Sequence, residues 1–549
     1  MTIPAQDTGD GAQPAATPRR YVHTEATRLL SGGVYLDHAF RTKVIDELVA
    51  HEDRPVPPSL GVDVVSVLHH ALRARSQEIG KAVGVLVVWV LFFALTIGLG
   101  RTASGTAAAL GASPLGFFTV WPLFFALIGL LLLLTRQPQT SRARIGRLLG
   151  WLLMALYVVT VFLAAISGDP TAWAGLLMPF ALALPLWAQQ VDLMSLLRRE
   201  LTGEGFRTAP PPRLPASDRY RRIEAAITEE QHSPLTVYDP FEPFLGAGLP
   251  HNPWSLALEL KRQPGSTSKE SLTPRQVVDL ITPRLTALRD AAGARHSMDR
   301  LRSLEMEEFV YLPGGVARPA VSRRAEHIRE HLDVAVDEGG EGRRYFLRVR
   351  IGAWHEQVVV SVLVRVHTQG GMLVLEVVPH VLTPVRRSFT RIDELADPAR
   401  NDNRRSAVRA LGDTPTALYD SLRTLGSAVA GAFRLWMRKP HLSVSDGPKT
   451  SIRELGSTPK LSLFQEMDVS RYIKTVQDRI ASGVRDALRT SGFQTDEFQQ
   501  QIVQVSQGGV YIGEMSGGAV ASGTGAKARA TTSTATQKST EPAARESSE

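Results

Sequence analysis

Between positions 82 and 191 only six side chains carry a charge: Arg101, Arg136, Arg142, Arg144, Arg147 and Asp169. Across the whole chain 21% of residues are charged, so the remainder is as polar as an ordinary soluble protein. No single solvent suits both parts. The sequence therefore describes neither a purely soluble protein nor one that is mostly membrane.

Four apolar stretches make up the block. The first, residues 82–100, reads AVGVLVVWVLFFALTIGLG between Lys81 and Arg101. As a helix it reaches about 28 Å, close to the hydrocarbon thickness of a bilayer. The others cover residues 115–135, 147–167 and 173–191. The last contains Pro179 and Pro185, which membrane helices tolerate better than soluble ones. Arg73, Arg75 and Lys81 precede the first stretch, Arg136, Arg142, Arg144 and Arg147 separate the second from the third, and Arg198 and Arg199 follow the fourth. The two remaining loops hold only Arg101 and Asp169 as charges. Basic residues mark the cytoplasmic side, so four crossings put both termini in the cytoplasm of a cell whose plasma (inner) membrane the chain spans. The opening residues lack the basic start and apolar core of a secretory signal, which leaves the first span to act as an internal signal anchor. No ionisable residue sits in the middle of a span, against ion-coupled transport.

The expected fold is multi-domain. A small N-terminal helical cytoplasmic domain (21–81) precedes the four-span α-helical transmembrane bundle (82–191). A linker (192–217) then leads to a C-terminal α+β cytoplasmic domain (218–505) containing an antiparallel meander. Residues 1–20 and 526–549 are rich in small and polar types and are expected to be disordered. Residues 506–525, with Gly508, Gly509, Gly517 and Gly518, suggest a hairpin-like segment. Asp37 can cap a helix, and residues 62–79 form a second one that leads into the first span as a continuous rod. A short charged helix is expected from Ser217 to near Glu230. Strands at 235–238 and 254–260 flank the loop DPFEPFLGAG, expected as a wide hairpin loop, with a ligand-binding lip as the alternative. Pro283 should kink or split a helix over 273–291 near Thr282. The clearest β signal lies in residues 344–386. There Tyr345, Leu347, Val349 and Ile351 alternate with Phe346, Arg348 and Arg350, and Val358, Val360, Val362 and Val364 share one face. Two amphipathic helices follow, over 414–438 (Leu418, Leu422, Leu425, Val429) and 470–490 (Ile473, Val476, Ile480, Val484, Leu488), both expected to bury their apolar stripes in the core.

Chemistry is sparse. The chain has no cysteine, hence no disulfide, no thiolate metal site and no Cys nucleophile. G-x-S-x-G and G-x-x-x-x-G-K-[ST] are absent. One match stands out: His327, Glu330 and His331 form H-x-x-E-H, the inverted zinc-peptidase pattern, which on a helix places two imidazoles one turn apart beside a carboxylate base. Arg323, Arg324 and Arg329 would repel a dication there, and only Glu394 suggests itself as a third ligand. No catalytic, cofactor-binding or metal residue is assigned and no cofactor is expected. The formal net charge of +8 suits a protein lying against anionic lipid, and no nucleic-acid recognition motif accompanies it. The expected partners are the bilayer and a protein, with self-association open. The reading that follows is a membrane-anchored scaffold or sensor whose cytoplasmic domain binds a protein or small ligand. A membrane-tethered metal-dependent hydrolase and a small pore or uncoupled transporter are the alternatives.

Tyr35-Leu36-Asp37, Pro58 with Gly61-Val62-Asp63, Val237-Tyr238, Pro243-Phe244-Leu245-Gly246-Ala247-Gly248 and Trp254-Ser255 resemble a family of uncharacterised actinobacterial integral membrane proteins. The meander through residues 345–384, with Trp354 in its first turn, is similar too. The resemblance implies a bacterial inner-membrane location and brings no activity with it.

Overall fold

The computed structural model of the chain describes residues 21–107, 120–134, 141–167, 170–210, 212, 214–265, 271–294, 299–340, 342–397, 403–437 and 447–506. The expected disordered ends and the Gly-rich segment at 508–525 lie outside them.

Helices α1 (Glu25–Leu36) and α2 (His38–Ile45) open the fold, and α2 runs on as one π-helical turn to Ala50. Thr24 and Asp37 cap them, their side-chain oxygens accepting from the amides of Thr27 and of Ala39 and Phe40. The expected rod is continuous: α3 (Val64–Ala107) is a single 44-residue helix, about 66 Å long. Its first turns bury Val64, Val65, Val67 and Leu68 against Leu29, Leu30 and Phe40. Further along, Val83, Val87, Val90, Leu91 and Leu95 face outward, 46–67% exposed. One helix thus passes from a water-excluding core into a region whose large apolar side chains point away from the protein.

The same outward pattern marks α4 (Val120–Leu134), α5 (Ser141–Ile166) and α6 (Pro170–Glu200) at Leu127, Leu152, Phe162 and Phe180. Helix α6 runs through Pro179 and Pro185. Among the described residues, three helices are long and apolar enough to cross a membrane: Val64–Gly98, Leu149–Ile166 and Thr171–Glu200. Helix α4 is apolar throughout but, at 15 residues, reaches only about 22 Å.

After α7 (Asp218–Glu230) comes a seven-stranded sheet: β1 (Leu235–Tyr238), β2 (Leu249–Pro250), β3 (Trp254–Glu259), β4 (Glu305–Pro313), β5 (Arg344–Ala353), β6 (Val358–Gln369) and β7 (Met372–Leu382). The order is β1-β4-β5-β6-β7, with β2 and β3 both on the outer side of β7. Strands β5, β6 and β7 form the expected antiparallel meander, and Gly370 and Gly371 supply the positive φ of its second turn. The β1–β4 pair is parallel. The register slips by one residue between β2 and β3, where Asn252 has φ +49°, so the two are one edge strand interrupted by a bulge. The hairpin expected between β1 and β3 does not form. Those strands occupy opposite edges, and the loop between them crosses a face of the sheet.

On the other face Tyr345, Leu347, Val349, Val360, Val362 and Val364 pack under α8 (Pro274–Ala294) and α12 (Leu463–Thr490). Helix α8 is not split at Pro283, which sits on its exposed side. Helix α9 (Ala325–Ala335) lies over β4 and β5, α10 (Arg391–Ala396) packs on α1 and α6, and α13 (Asp496–Ser506) follows α12. Fully buried Arg350 donates to Glu305 (3.0 Å) and Glu356 (2.8 Å) and stacks 4.7 Å from the Tyr21 ring, tying the first described residues to the sheet.

Helix α11 (Asn403–Met437) breaks with expectation. It packs along α3, α4 and α6 and not on the sheet. The Tyr419 hydroxyl donates to the Ala126 carbonyl (3.0 Å), and a Cβ at Gly129 would collide with the Pro415 carbonyl. The stripe expected in the core is there only in part: Leu418 packs half-buried among the apolar helices and Leu425 is half-buried, but Leu422 is 50% and Val429 68% exposed. Ser406, Ala410, Thr414, Ala417 and Ser421 are buried instead. Small side chains let helix axes approach closely, which larger ones at those positions would prevent.

Candidate functional site

The loop joining β1 to β2 is fixed at both ends. Asp239 opens it by accepting from the Phe241 amide (2.8 Å) and from the Lys449 ammonium (2.5 Å). Phe244 then drops onto the sheet, edge-on to Tyr311 (5.6 Å) and Phe346 (5.4 Å) and 5.1 Å from the His380 ring. Gly246 and Gly248 close the loop at φ +96° each, a backbone region that only glycine enters freely. A Cβ on the first would strike the Pro58 carbonyl, and one on the second the Val381 carbonyl. Their amides both donate to Oε1 of Glu454, at 2.8 Å each.

Glu454 comes from the far end of the chain, in the short helical turn Ile452–Leu455 capped by Ser451. Burial pushes its carboxyl above the usual range, and the two glycine amides pull against that rise. Beside it Arg453 is fully buried and donates to the carbonyls of Gln357 (2.7 Å) and Thr383 (3.0 Å). Burial lowers its pKa to about 10, so it stays cationic at neutral pH. The Ser457 hydroxyl is taken up by Arg453, accepting from its guanidinium and donating to its carbonyl.

Between this turn, the loop and β7 lies a groove of about 580 Å³, within the range of small-ligand sites. Phe241, Pro243, Leu249, Val381 and Pro459 give it apolar walls, with buried His380 and Thr383 and half-buried Glu454 among its polar groups. Phe241 stands at the lip, 92% exposed. Burial lowers the His380 pKa, so the ring is neutral. Its Nδ1 lies 3.2 Å from the Val378 carbonyl, which assigns the proton to Nδ1 and leaves Nε2 as an acceptor. An apolar-walled groove with the His380 ring and the Glu454 carboxylate as acceptors suits a ligand with an apolar body and hydrogen-bond donors. With its serine hydroxyl committed to Arg453, the groove is equipped for binding more than for nucleophilic chemistry.

The H-x-x-E-H residues lie elsewhere, on α9. His327 is exposed, with Nδ1 2.6 Å from the Ser322 hydroxyl. Partial burial, followed by the charge of Arg343, lowers the His331 pKa. Glu330 is exposed. Glu394, the suggested third ligand, belongs to α10, which packs on α1 and α6, whereas α9 packs on β4 and β5. Among the described residues no group of three or more His, Cys, Asp or Glu gathers to hold a metal. Sequence reasoning singled out the loop and its glycines but missed Glu454, Arg453 and His380. No local signal could have joined positions 246, 380 and 454.

No curated protein matches the chain, and no solved structure does. A family model does match a little under half of it, from β3 past α13. Over residues 253–518 the chain is similar to the AbeC-like domain.

Proposed function

We propose that this is a multi-pass protein of the plasma (inner) membrane, a scaffold or sensor whose sheet-bearing part stands in the cytoplasm and binds a small ligand or a segment of a partner protein. Four spans, α3 to α6, with both termini cytoplasmic, fit the placement of Lys and Arg. Three helices of sufficient length and apolarity support the membrane part of this reading. The observation that carries the binding part is the groove: a loop clamped by Glu454 at two glycine amides, with an almost fully exposed Phe241 at its lip. An aromatic ring held in water at the edge of an apolar groove is a common way to receive a partner.

A photo-crosslinking residue at position 241, in the full chain in its membrane, tests this. The expected result is a discrete adduct that is absent when the same residue is placed at Val316, an exposed apolar position distant in sequence from the groove. Identical adducts from both positions, or none from position 241, would remove the binding reading. A reporter fused after Glu549 tests the topology separately, and activity confined to the outside of the cell would contradict it.

A further inference from the structure

Helix α11 has three faces. Ser406, Ala410, Thr414, Ala417 and Ser421 are buried against the apolar helices. At 100° per residue, Val408, Leu411, Leu422, Val429 and Phe433 share a second face spanning about 60°, a sixth of the circumference, with Arg404 at its N-terminal end. They are between 39% and 72% exposed. Arg405, Arg409, Arg423 and Arg434 gather with Asp413 and Asp420 on the third. Counting Arg404, the helix carries five arginines against two aspartates.

An apolar stripe of this width left open on a water-soluble domain would be an aggregation liability. Here it is continuous with another surface. Helix α11 packs on α3, α4 and α6, the helices whose own apolar side chains point outward at Val87, Val90, Leu127 and Phe180. Its neighbours on both sides of the contact therefore offer the same kind of surface. The excess of arginine adds the complementary charge, since anionic headgroups attract cations placed at the membrane surface.

We propose that α11, although it lies within the segment similar to the AbeC-like domain, is a lipid-contacting helix: its small-residue face seals on the bundle, its apolar stripe enters the acyl chains of the cytoplasmic leaflet, and its arginines face anionic phospholipid headgroups. This rests on the reading of α3, α5 and α6 as spans. It joins the sheet-bearing part to the bilayer by a second attachment besides the chain that follows α6.

The absence of cysteine allows single-cysteine probes in the full chain. Val429→Cys, Val408→Cys, Ser427→Cys and Val90→Cys are each labelled with an environment-sensitive dye. They are then placed in vesicles of mixed anionic and zwitterionic phospholipid containing nitroxide-labelled acyl chains. Val90 reports the first span, and Ser427, exposed on the charged side, reports water. The expected result is quenching at 429 and 408 comparable to that at 90 and at least about twofold above that at 427. Quenching at 429 should fall in purely zwitterionic vesicles and in the Arg405→Gln/Arg423→Gln/Arg434→Gln variant. Quenching at 90 but not at 429 would overturn the proposal while leaving the spans intact. No quenching at 90 would overturn the spans themselves. Disulfide-linked dimers through Val429→Cys without quenching would show that a second copy of the chain covers the stripe, and would equally overturn it. Quenching at 429 indifferent to lipid charge and to the arginine changes would overturn the headgroup contact.

Discussion

Helices α11 and α12 look alike in sequence and do opposite things. Both are long, amphipathic and interrupted by arginines. Helix α12 buries Val476, Ile480, Val484 and Leu488 against the sheet and α8, and Gly483 lets the two helices touch near Ile281. Helix α11 buries alanine, serine and threonine and turns leucine, valine and phenylalanine outward. The difference is one of solvent. Where the alternative to packing is water, large apolar side chains gain most by going inside. Where the alternative is lipid, that gain vanishes and close approach of small residues decides the contact.

The comparison predicts a graded series of effects. Ile480→Ala should be the most damaging, costing about 2–5 kcal/mol, because it opens a cavity in a packed core. The readout is hydrogen exchange of the β6 amides, which should speed up in proportion. Ala417→Leu should follow at about 1–3 kcal/mol, through overpacking against the apolar helices, with faster exchange in α11 and little change in β6. Val429→Ala should lie within about 0.5 kcal/mol of the parent in detergent, since its side chain supports no protein core. If Val429→Ala proved as costly as Ile480→Ala, the two helices would not differ as described.

A finer effect concerns the groove and pH. Burial keeps the folded-state pKa of His380 below that of an unfolded chain, about 6.5. As pH falls, the unfolded state takes up the proton first, so the support His380 gives at neutral pH is lost as pH drops through and below that value. Unfolding followed at several pH values should show a shallower acid-side loss for His380→Asn than for the parent. Equal slopes would mean the ring is already protonated or freely hydrated in the fold. Glu454 has the opposite sign. Its raised pKa makes the ionised carboxyl the costly form above the usual carboxylate range, and Glu454→Gln should relieve that cost while weakening the clamp on Gly246 and Gly248.

Much of this architecture is legible in the residues, and the parts that are not share a cause. The alternation from Val358 to Val366 marks a strand with one wholly apolar face, and β6 is that strand, although the structure buries it on both faces from Val358 to Val366. The apolar run after Lys81 continues a helix already begun at Val64, because nothing between them breaks it. Which edges β1 and β3 take is not local information: their pairings to β4 and β7 span dozens of residues, and the loop between them looks the same whether it turns or crosses. Periodicity revealed the stripe on α11 but not its solvent. The small residues that actually hold α11 carry no hydropathy signal, so its buried face was invisible. The groove failed for the same reason as the sheet edges, since Glu454 meets Gly246 only in three dimensions. The H-x-x-E-H match shows the converse, a correct local pattern on an exposed helix with no third ligand beside it among the described residues.

The central claim is that the apolar helices cross a bilayer with the sheet on its cytoplasmic side. Cysteine labelling with a membrane-impermeant maleimide in intact cells tests it most directly, using Ser167→Cys between α5 and α6 and Leu463→Cys, 70% exposed at the start of α12. The expected outcome is labelling at 167 without lysis and at 463 only after it. Labelling at 463 in intact cells, with 167 protected until lysis, would contradict the claim.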